Sequence, residues 1–198
     1  MNKQCWYNRF TPHKWEGKTL ISGKFLYLVG EKRGGKQMNL ERLFKMQKQL
    51  DDRIKKEHQL EQTDVYEEKV LALLVELGEL ANETRCFKYW SQKGPSERTV
   101  ILEEYVDGVH FILSLGLEKG WTDPVIEKQV TNQTMTQLFL TVYECVLEMK
   151  QTDDKKVYDA LFTNFLSLGK ALGFTKDEIV QAYLNKNEKN HVRQDEGY

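Results

Sequence analysis

Two apolar stretches interrupted by acids decide the fold: Leu71-Ala-Leu-Leu-Val-Glu-Leu-Gly-Glu-Leu-Ala-Asn-Glu83 and Val100-Ile-Leu-Glu-Glu-Tyr-Val-Asp-Gly-Val-His-Phe-Ile-Leu-Ser-Leu115. In both stretches apolar residues recur every three or four positions, which predicts α-helices. Each stretch also carries a pair of acids three residues apart, Glu76 with Glu79 and Glu104 with Asp107. The members of a pair therefore lie on one face of their helix, close enough to repel each other.

Neither acidic pair has a cation within reach along its own helix. Surface helices commonly carry Lys or Arg three or four residues from a Glu. Here those positions hold only apolar residues, other acids, Asn82, Gly108 and His110. A solvated acidic stripe would explain one such motif, but two motifs on adjacent apolar helices favour a site where four carboxylates converge. Burial of four uncompensated charges is very unfavourable, so positive charge is expected between them.

Carboxylates without cysteine select hard cations. Oxygen ligands favour Mg²⁺ or Mn²⁺ over zinc, and Mg²⁺ commonly shares its coordination sphere with substrate phosphates. A charge of about −4 suits two such ions, which can hold and deprotonate a water and neutralise a phosphoryl group during in-line displacement. The pattern therefore predicts metal-dependent hydrolysis of a phosphoanhydride, with metal ligands Glu76, Glu79, Glu104 and Asp107.

Helical periodicity extends on both sides of these stretches, from Met38 onward. It predicts an all-α protein, a bundle of about six helices whose four-helix core carries the metal site. The predicted helices are 40–54, 65–90, 97–119 after the N-cap Ser96, one opened by Asp123 and Pro124, 154–172, and one after the capping box Thr175-Lys-Asp-Glu178. Gly120 is the expected stop of the third helix.

Composition limits the class of protein. The chain has 198 residues, 40% of them hydrophobic and 30% charged, which suits one globular domain. No segment approaches the roughly 18 uninterrupted apolar residues that cross a bilayer, and the N-terminus has no run typical of a secretory signal. The three cysteines are too scattered for a disulfide scaffold, and the net charge of −1 gives no reason to expect nucleic acid as a partner. We expect a cytoplasmic protein that binds neither membrane nor nucleic acid.

The first 37 residues differ from the rest in charge. They carry a net charge of +6, whereas residues 38–198 carry −7. Because they have no helical period, residues 1–37 are predicted to be a basic, weakly structured extension of a domain formed by residues 38–198. Two alternatives concern Lys32-Arg-Gly-Gly-Lys36: a phosphate-binding arm, or a segment encoded by a ribosome-binding site, with Met38 as the true start.

The C-terminal region offers groups for an anionic ligand. Lys186, Asn190 and Arg193 share one face of the last helix, and such a face suits phosphate oxygens. Cations near a helix C-terminus also complement its dipole, and this interpretation stays open. Trp90 and Phe111 could stack on a base, although such aromatic residues also form cores.

Motif spacing resembles that of a known family. The two acidic motifs begin 28 residues apart, and the chain ends in Lys-x3-Asn-x2-Arg-Gln-x2-Gly-Tyr, from Lys186 to Tyr198. With the opening Leu43-Phe-Lys-Met-Gln-Lys-Gln-Leu-Asp51, the region from Met38 to Tyr198 resembles the dimeric all-α dUTPases, members of the all-α nucleoside triphosphate pyrophosphatase superfamily. Residues 1–37 lie outside this resemblance.

The resemblance implies a homodimer that hydrolyses dUTP, and also dUDP, to dUMP and so removes dUTP from the nucleotide pool. It implies that the four acids hold two or more Mg²⁺ ions, with Mn²⁺ as a substitute. Water would attack the β-phosphorus, with Glu76 as general base. It also implies substrate-binding roles: Gln47 at the uracil edge, Trp90, His110 and Phe111 around the base and sugar, and Lys186, Asn190 and Arg193 at the outer phosphates.

Two other functions are compatible with the sequence. A related pyrophosphatase acting on dCTP or damaged nucleotides would share the acids, and the relative rates on dUTP, dCTP, dTTP and UTP distinguish the two enzymes. A helical interaction module without catalysis, whose acids bind a basic partner, belongs to a different class. Glu76→Gln distinguishes this module from an enzyme, because only an enzyme would lose turnover.

Overall fold

Six helices form the fold in the computed structural model, which describes residues 38–127 and 132–197. They are α1 (Leu40–Glu57), α2 (Tyr66–Thr84), α3 (Arg98–Lys119), α4 (Met135–Thr152), α5 (Lys155–Ala171) and α6 (Lys176–Asp195). No strand occurs in these two ranges, and none of their helices is long and apolar enough to cross a membrane. The prediction of an all-α protein with about six helices is confirmed. The predicted extension, residues 1–37, lies outside the described residues.

α3 lies at the centre of the bundle and packs against α1, α2, α5 and α6. Its buried residues lie on all sides of the helix, as expected for a core helix. Two fully buried tyrosines join it to α5: Tyr105 donates to the Phe165 carbonyl at 3.0 Å, and Tyr158 donates to the Ile112 carbonyl at 3.1 Å. Because buried hydroxyls need partners, these bonds hold the two helices in one register.

Local capping chemistry sets several helix ends. Asn39 is the N-cap of α1, and its side chain accepts from the Arg42 amide at 3.0 Å. The predicted capping box is present at the start of α6, where Thr175 and Glu178 each accept from the other's backbone amide. Gly120 ends α3 in the left-handed conformation, with φ of 70°. Such groups satisfy the backbone amides and carbonyls that a helix leaves unpaired at its ends.

Two predicted helix boundaries were wrong. α2 ends at Thr84 and not near Trp90, because Arg85 adopts the left-handed conformation with φ of 56°. The Arg85 guanidinium then bonds to Ser91 Oγ and to the Lys93 carbonyl, which holds the segment after α2. The N-cap of α3 is Glu97 and not Ser96, and no side chain caps this helix.

The prediction that Asp123 and Pro124 open a helix was also wrong. Residues 121–127 contain no helix, and α4 begins at Met135 after a capping box at Thr134. Side chains of α5 bind the backbone here instead: the Val125 amide donates to Asp159 Oδ1 and the Glu127 amide donates to Thr163 Oγ1, both at 3.2 Å. Tertiary hydrogen bonds therefore replace the helical ones that the local pattern predicts.

Candidate active site

Three carboxylates from two neighbouring helices converge. Glu76 and Glu79 lie one turn apart on α2, and Glu104 lies on α3; each offers one oxygen, and these oxygens lie within 4.8 Å of one another. They meet because α2 and α3 pack together through their apolar side chains. Glu79 is exposed, whereas Glu76 and Glu104 are half-buried. We call these three residues the acidic cluster. One of its carboxylates is exposed to solvent, and the other two are partly shielded from it.

Asp107, the fourth predicted ligand, lies one turn beyond Glu104 and is paired with a cation. Lys186 Nζ, on α6, lies 2.6 Å from Asp107 Oδ2 and 3.2 Å from Glu103 Oε1. The side chains of Lys186 and Asp107 are only 11% and 16% exposed, so solvent screens this pair weakly. The cation that neither acidic helix supplies comes from a residue 79 positions later in the chain.

Burial, together with repulsion between the acids, raises the pKa values of three carboxyl groups in the site. Burial, followed by the charges of Asp107, Glu79 and Glu104, raises the pKa of Glu76 to about 7. Burial also raises the pKa of Glu104 and that of Asp107, the latter against the opposing hydrogen bond from Lys186. Glu76 is therefore suited to exchange a proton near neutral pH.

A pocket of about 550 Å³ adjoins the acids and is lined by α1, α2, α3 and α6. Sites for small molecules commonly have volumes of about 300–1,000 Å³. The lining includes charged side chains, namely Glu76, Asp107, Lys186, Asp51, Lys55, Glu68, Lys69 and Arg193. It also includes the apolar side chains of Leu50, Ile54, Leu60, Val65, Ala72 and Phe111. A lining of both kinds suits a ligand that has an anionic part and a less polar part.

Gln47 is buried in the pocket wall with a partner for each end of its amide. Its Oε1 lies 2.8 Å from His110 Nδ1 and accepts from the Tyr183 hydroxyl at 3.0 Å, while its Nε2 donates to Asp51 Oδ1 at 2.7 Å. Burial lowers the pKa of His110 to about 3, so the imidazole is neutral at physiological pH. Its ring stacks on Tyr183, with centroids 4.2 Å apart.

The other predicted substrate residues fall into two groups. Phe111, Asn190 and Arg193 line the same pocket as the acids and Gln47. Trp90 does not line it: its side chain is 64% exposed in the segment after α2, where its ring makes edge contacts with the rings of Phe87 and Tyr89. The predicted contact between Trp90 and the substrate therefore has no support from the pocket of this chain and stays a prediction.

Comparison with known proteins identifies the family. A family model described as dUTPase matches residues 39–198, most of the chain. The chain belongs to the dUTPase family. It is accordingly a hydrolase, a dUTP diphosphatase, whose expected substrate is a nucleotide. A comparison with curated proteins found no match.

A second polar group of this dUTPase, for which the sequence predicted no role, has Asp51, Lys69 and Ser114 in the pocket lining and Glu118 behind them. Lys69 Nζ lies 3.1 Å from Asp51 Oδ2 and 2.6 Å from Glu118 Oε1, and Ser114 Oγ also donates to Asp51 Oδ2. A signal existed for part of this group, since Gln47 and Asp51 are four residues apart on α1 and so share one face. Ser114 and Glu118 are likewise four residues apart on α3, but no local pattern places them, or Lys69 of α2, beside Asp51.

The acidic cluster of this dUTPase fits a hard divalent cation. Its donors are carboxylate oxygens, and it contains neither histidine nor cysteine among the described residues. Burial and, after it, the charges of Asp107, Glu79 and Glu104 raise the pKa of Glu76 against the opposing charge of Lys186, and a bound cation would offset all of these effects. Oxygen donors of this kind are the preferred ligands of Mg²⁺ and Mn²⁺, whereas zinc sites usually include nitrogen or sulfur.

Proposed function

We propose that this enzyme hydrolyses dUTP and dUDP to dUMP in a Mg²⁺-dependent reaction and thereby removes dUTP from the nucleotide pool. The observation that carries the proposal is the convergence of Glu76, Glu79 and Glu104 beside a pocket of about 550 Å³. Membership of the dUTPase family supports the substrate. Mn²⁺ would serve as a substitute, because it prefers the same oxygen ligands.

Glu76, Glu79, Glu104 and Asp107 would hold two or more ions. When bound, these ions would place positive charge on the phosphates and make a nearby water more acidic. Asp107 would exchange its 2.6 Å ion pair with Lys186 for this role. Lys186 would then be available to phosphate oxygens, together with Asn190 and Arg193 from the same helix and the same pocket.

Glu76 would act as general base. A carboxylate that both touches an ion and reaches the attacking water can take the proton of that water. The pKa of about 7 belongs to the metal-free site, and bound cations would lower it. The water would lose one proton to Glu76 while its oxygen attacks the β-phosphorus. The bond from the β-phosphorus to the oxygen bridging it to the α-phosphorus would break, and dUMP would leave with that oxygen. Because the γ-phosphate takes no part, dUDP would react in the same way.

The base would lie against Gln47, with Trp90, His110 and Phe111 lining the base and sugar pocket. Gln47 and His110 are buried and neutral, so they can distinguish bases by hydrogen bonding without the charge that a phosphate group would select. Close packing would exclude ribose and the methyl group of thymine.

The enzyme would act as a homodimer in the cytoplasm. α2 and α4 pack against each other, and both carry large apolar side chains that are exposed in the single chain. These residues are Leu71, Val75, Leu140 and Leu147. A two-fold interface, in which each copy presents the same face, would cover them.

Glu76→Gln tests the mechanism. The substitution removes one charge and the proposed base while keeping the shape of the side chain, so we expect kcat to fall by about 100-fold or more with helical content retained. Glu67→Gln is the matched control, because Glu67 is an exposed residue of the same helix, paired with Lys150 at the surface. Unchanged turnover in Glu76→Gln would contradict the role proposed for Glu76 and would favour the interaction module, with the turnover due to a contaminating enzyme.

A nucleotide panel tests the substrate. We expect release of pyrophosphate from dUTP and of phosphate from dUDP, in both cases only with Mg²⁺ or Mn²⁺ present. Turnover of dCTP, dTTP and UTP should be much slower. An enzyme that cleaved dCTP and left dUTP intact would contradict the proposal and favour the related pyrophosphatase.

A further inference from the structure

We propose that Asp51 is a positioning residue that fixes which end of the Gln47 amide faces the substrate, and so sets the preference for uracil over cytosine. The inference rests on the proposed contact between Gln47 and the base. Both residues line the pocket, and Asp51 lies one turn after Gln47 on α1.

Gln47 forms a hydrogen-bond network with Asp51, His110 and Tyr183. Two of its members, His110 and Tyr183, can bond to the Gln47 amide in either of its two orientations. In the orientation described, Gln47 Oε1 accepts from His110 Nδ1 and from the Tyr183 hydroxyl. If the amide turned over, its Nε2 could donate to an unprotonated His110 Nδ1 and to the Tyr183 oxygen. The hydroxyl would then donate to the Leu43 carbonyl, which lies 3.3 Å away. Because a neutral imidazole and a hydroxyl can each donate or accept, these two partners select neither orientation.

Asp51 does select an orientation. Its carboxylate only accepts, and its Oδ1 lies 2.7 Å from Gln47 Nε2. A turned amide would place two acceptor oxygens at that distance, which is repulsive. Asp51 is itself fixed, because Lys69 and Ser114 both donate to its Oδ2. One carboxylate therefore determines the direction of every hydrogen bond in the network, and His110 must carry its proton on Nδ1.

The direction of these bonds determines what Gln47 offers the base. Asp51 uses one of the two hydrogens on Gln47 Nε2, which leaves one N–H donor for a ligand. Uracil carries a carbonyl oxygen where cytosine carries an amino group. The free N–H of Gln47 Nε2 would donate to this carbonyl oxygen of uracil. With cytosine it would face an N–H of the amino group, and these two buried donors would both lack an acceptor. Sites that leave polar groups unpaired discriminate strongly against the wrong substrate.

Asp51→Asn tests the inference, because an asparagine can present either its oxygen or its nitrogen to Gln47. We expect the ratio of kcat/KM for dUTP to that for dCTP to fall by about tenfold or more, since the amide could then turn to accept from cytosine. Asp52→Asn is the matched control, because Asp52 is an exposed neighbour paired with Lys48, and it should leave the ratio unchanged. A partial loss of folded enzyme would lower both rates equally and would not change the ratio.

A second measurement observes the wild-type protein and uses a variant only to assign the signal. ¹⁵N NMR should find His110 in the Nδ1–H tautomer, its signal identified by its absence in His110→Asn. A wild-type Nε2–H tautomer, or a wild-type substrate ratio in folded Asp51→Asn, would overturn the inference while leaving dUTP hydrolysis in place. Failure of the wild type to hydrolyse dUTP would instead overturn the proposed function, and the tautomer would still test the direction of the network.

Discussion

At the scale of single residues, Glu76 illustrates how neighbours set the properties of a side chain in this enzyme. The usual pKa of a glutamate is 4.5, but burial and the nearby Asp107, Glu79 and Glu104 raise the pKa of Glu76 to about 7. The folded protein therefore holds a proton there that the unfolded chain releases. The burial and crowding of carboxylates that would favour a bound cation therefore destabilise the folded protein when no cation is bound.

This instability predicts a pH-dependent effect of Glu76→Gln on the metal-free protein. Because the folded pKa of Glu76 is raised, its ionisation costs stability as pH rises from about 4.5 to about 7, and the full cost is present at pH 8. In EDTA, we expect Glu76→Gln to have a higher Tm than the wild type at pH 8 and a similar Tm at pH 5. Differential scanning calorimetry at both pH values measures the difference.

The difference in Tm between Glu76→Gln and the wild type isolates the contribution of the Glu76 carboxylate to stability. His110, with its pKa lowered to about 3, affects stability in the opposite direction, since the folded state loses stability as pH falls below about 6.5. That contribution is the same in both proteins and cancels in the difference. A variant less stable than the wild type at pH 8 would contradict the electrostatic account of Glu76.

The phosphorus atom that the water attacks can be identified with labelled water, which gives a second prediction at the scale of residues. If Glu76 activates water toward the β-phosphorus, hydrolysis of dUTP in H₂¹⁸O should place the label in pyrophosphate and none in dUMP, as measured by mass spectrometry. Incubation of the unlabelled products with the enzyme in the same water is the control for exchange. Label in dUMP would mean attack on the α-phosphorus and a different placement of the phosphates over the acids.

At the scale of helices, two glycines near the acids differ in their surroundings. Gly108 follows Asp107 on α3, and a Cβ there would lie 2.7 Å from Phe165 Cζ. Phe165 is buried and stacks on Tyr105, with centroids 4.5 Å apart, so it has little room to move. Gly78 precedes Glu79 on α2, where a Cβ would meet the Tyr143 hydroxyl at an ordinary 3.5 Å.

Alanine at these two positions should therefore change stability in opposite directions. Gly108→Ala overpacks the contact of α3 with α5, and we expect a loss of about 1–3 kcal/mol in the free energy of unfolding. Gly78→Ala adds helix propensity without a clash, and we expect a gain of about 0.5–1 kcal/mol. Urea denaturation of both variants measures the two effects. A change of the same sign in both would contradict the packing described for α3.

At the scale of the whole molecule, the exposed apolar side chains of α2 and α4 predict association. Light scattering after size exclusion should give twice the 23.3 kDa mass of the chain. The double variant Leu71→Glu with Leu147→Glu places charge on both helices of the proposed interface, so we expect a single-chain mass. Val192→Glu is the control, because Val192 on α6 is as exposed as Leu147, at 47%. A single-chain mass for the wild type would rule out the homodimer.

Much of this architecture was predictable because it depends on local chemistry. Apolar spacing identifies the helices, Thr175 and Glu178 form the predicted capping box, and Gly120 ends α3. The segment around Pro124 was not predictable, because side chains of α5 bind its backbone. The placement of Trp90 depends likewise on where α2 stops, which the left-handed Arg85 determines.

The sequence by itself determined the helical class, the two acidic motifs and the chemistry that unpaired carboxylates imply, because periodicity, spacing and residue type operate within a few turns of helix. Only the tertiary structure decided that Lys186 pairs with Asp107 and that Gln47 of α1 contacts His110 of α3 and Tyr183 of α6. These contacts join residues up to 136 positions apart, as between Gln47 and Tyr183. No local pattern specifies them, since they arise when packing of the apolar faces brings the helices together.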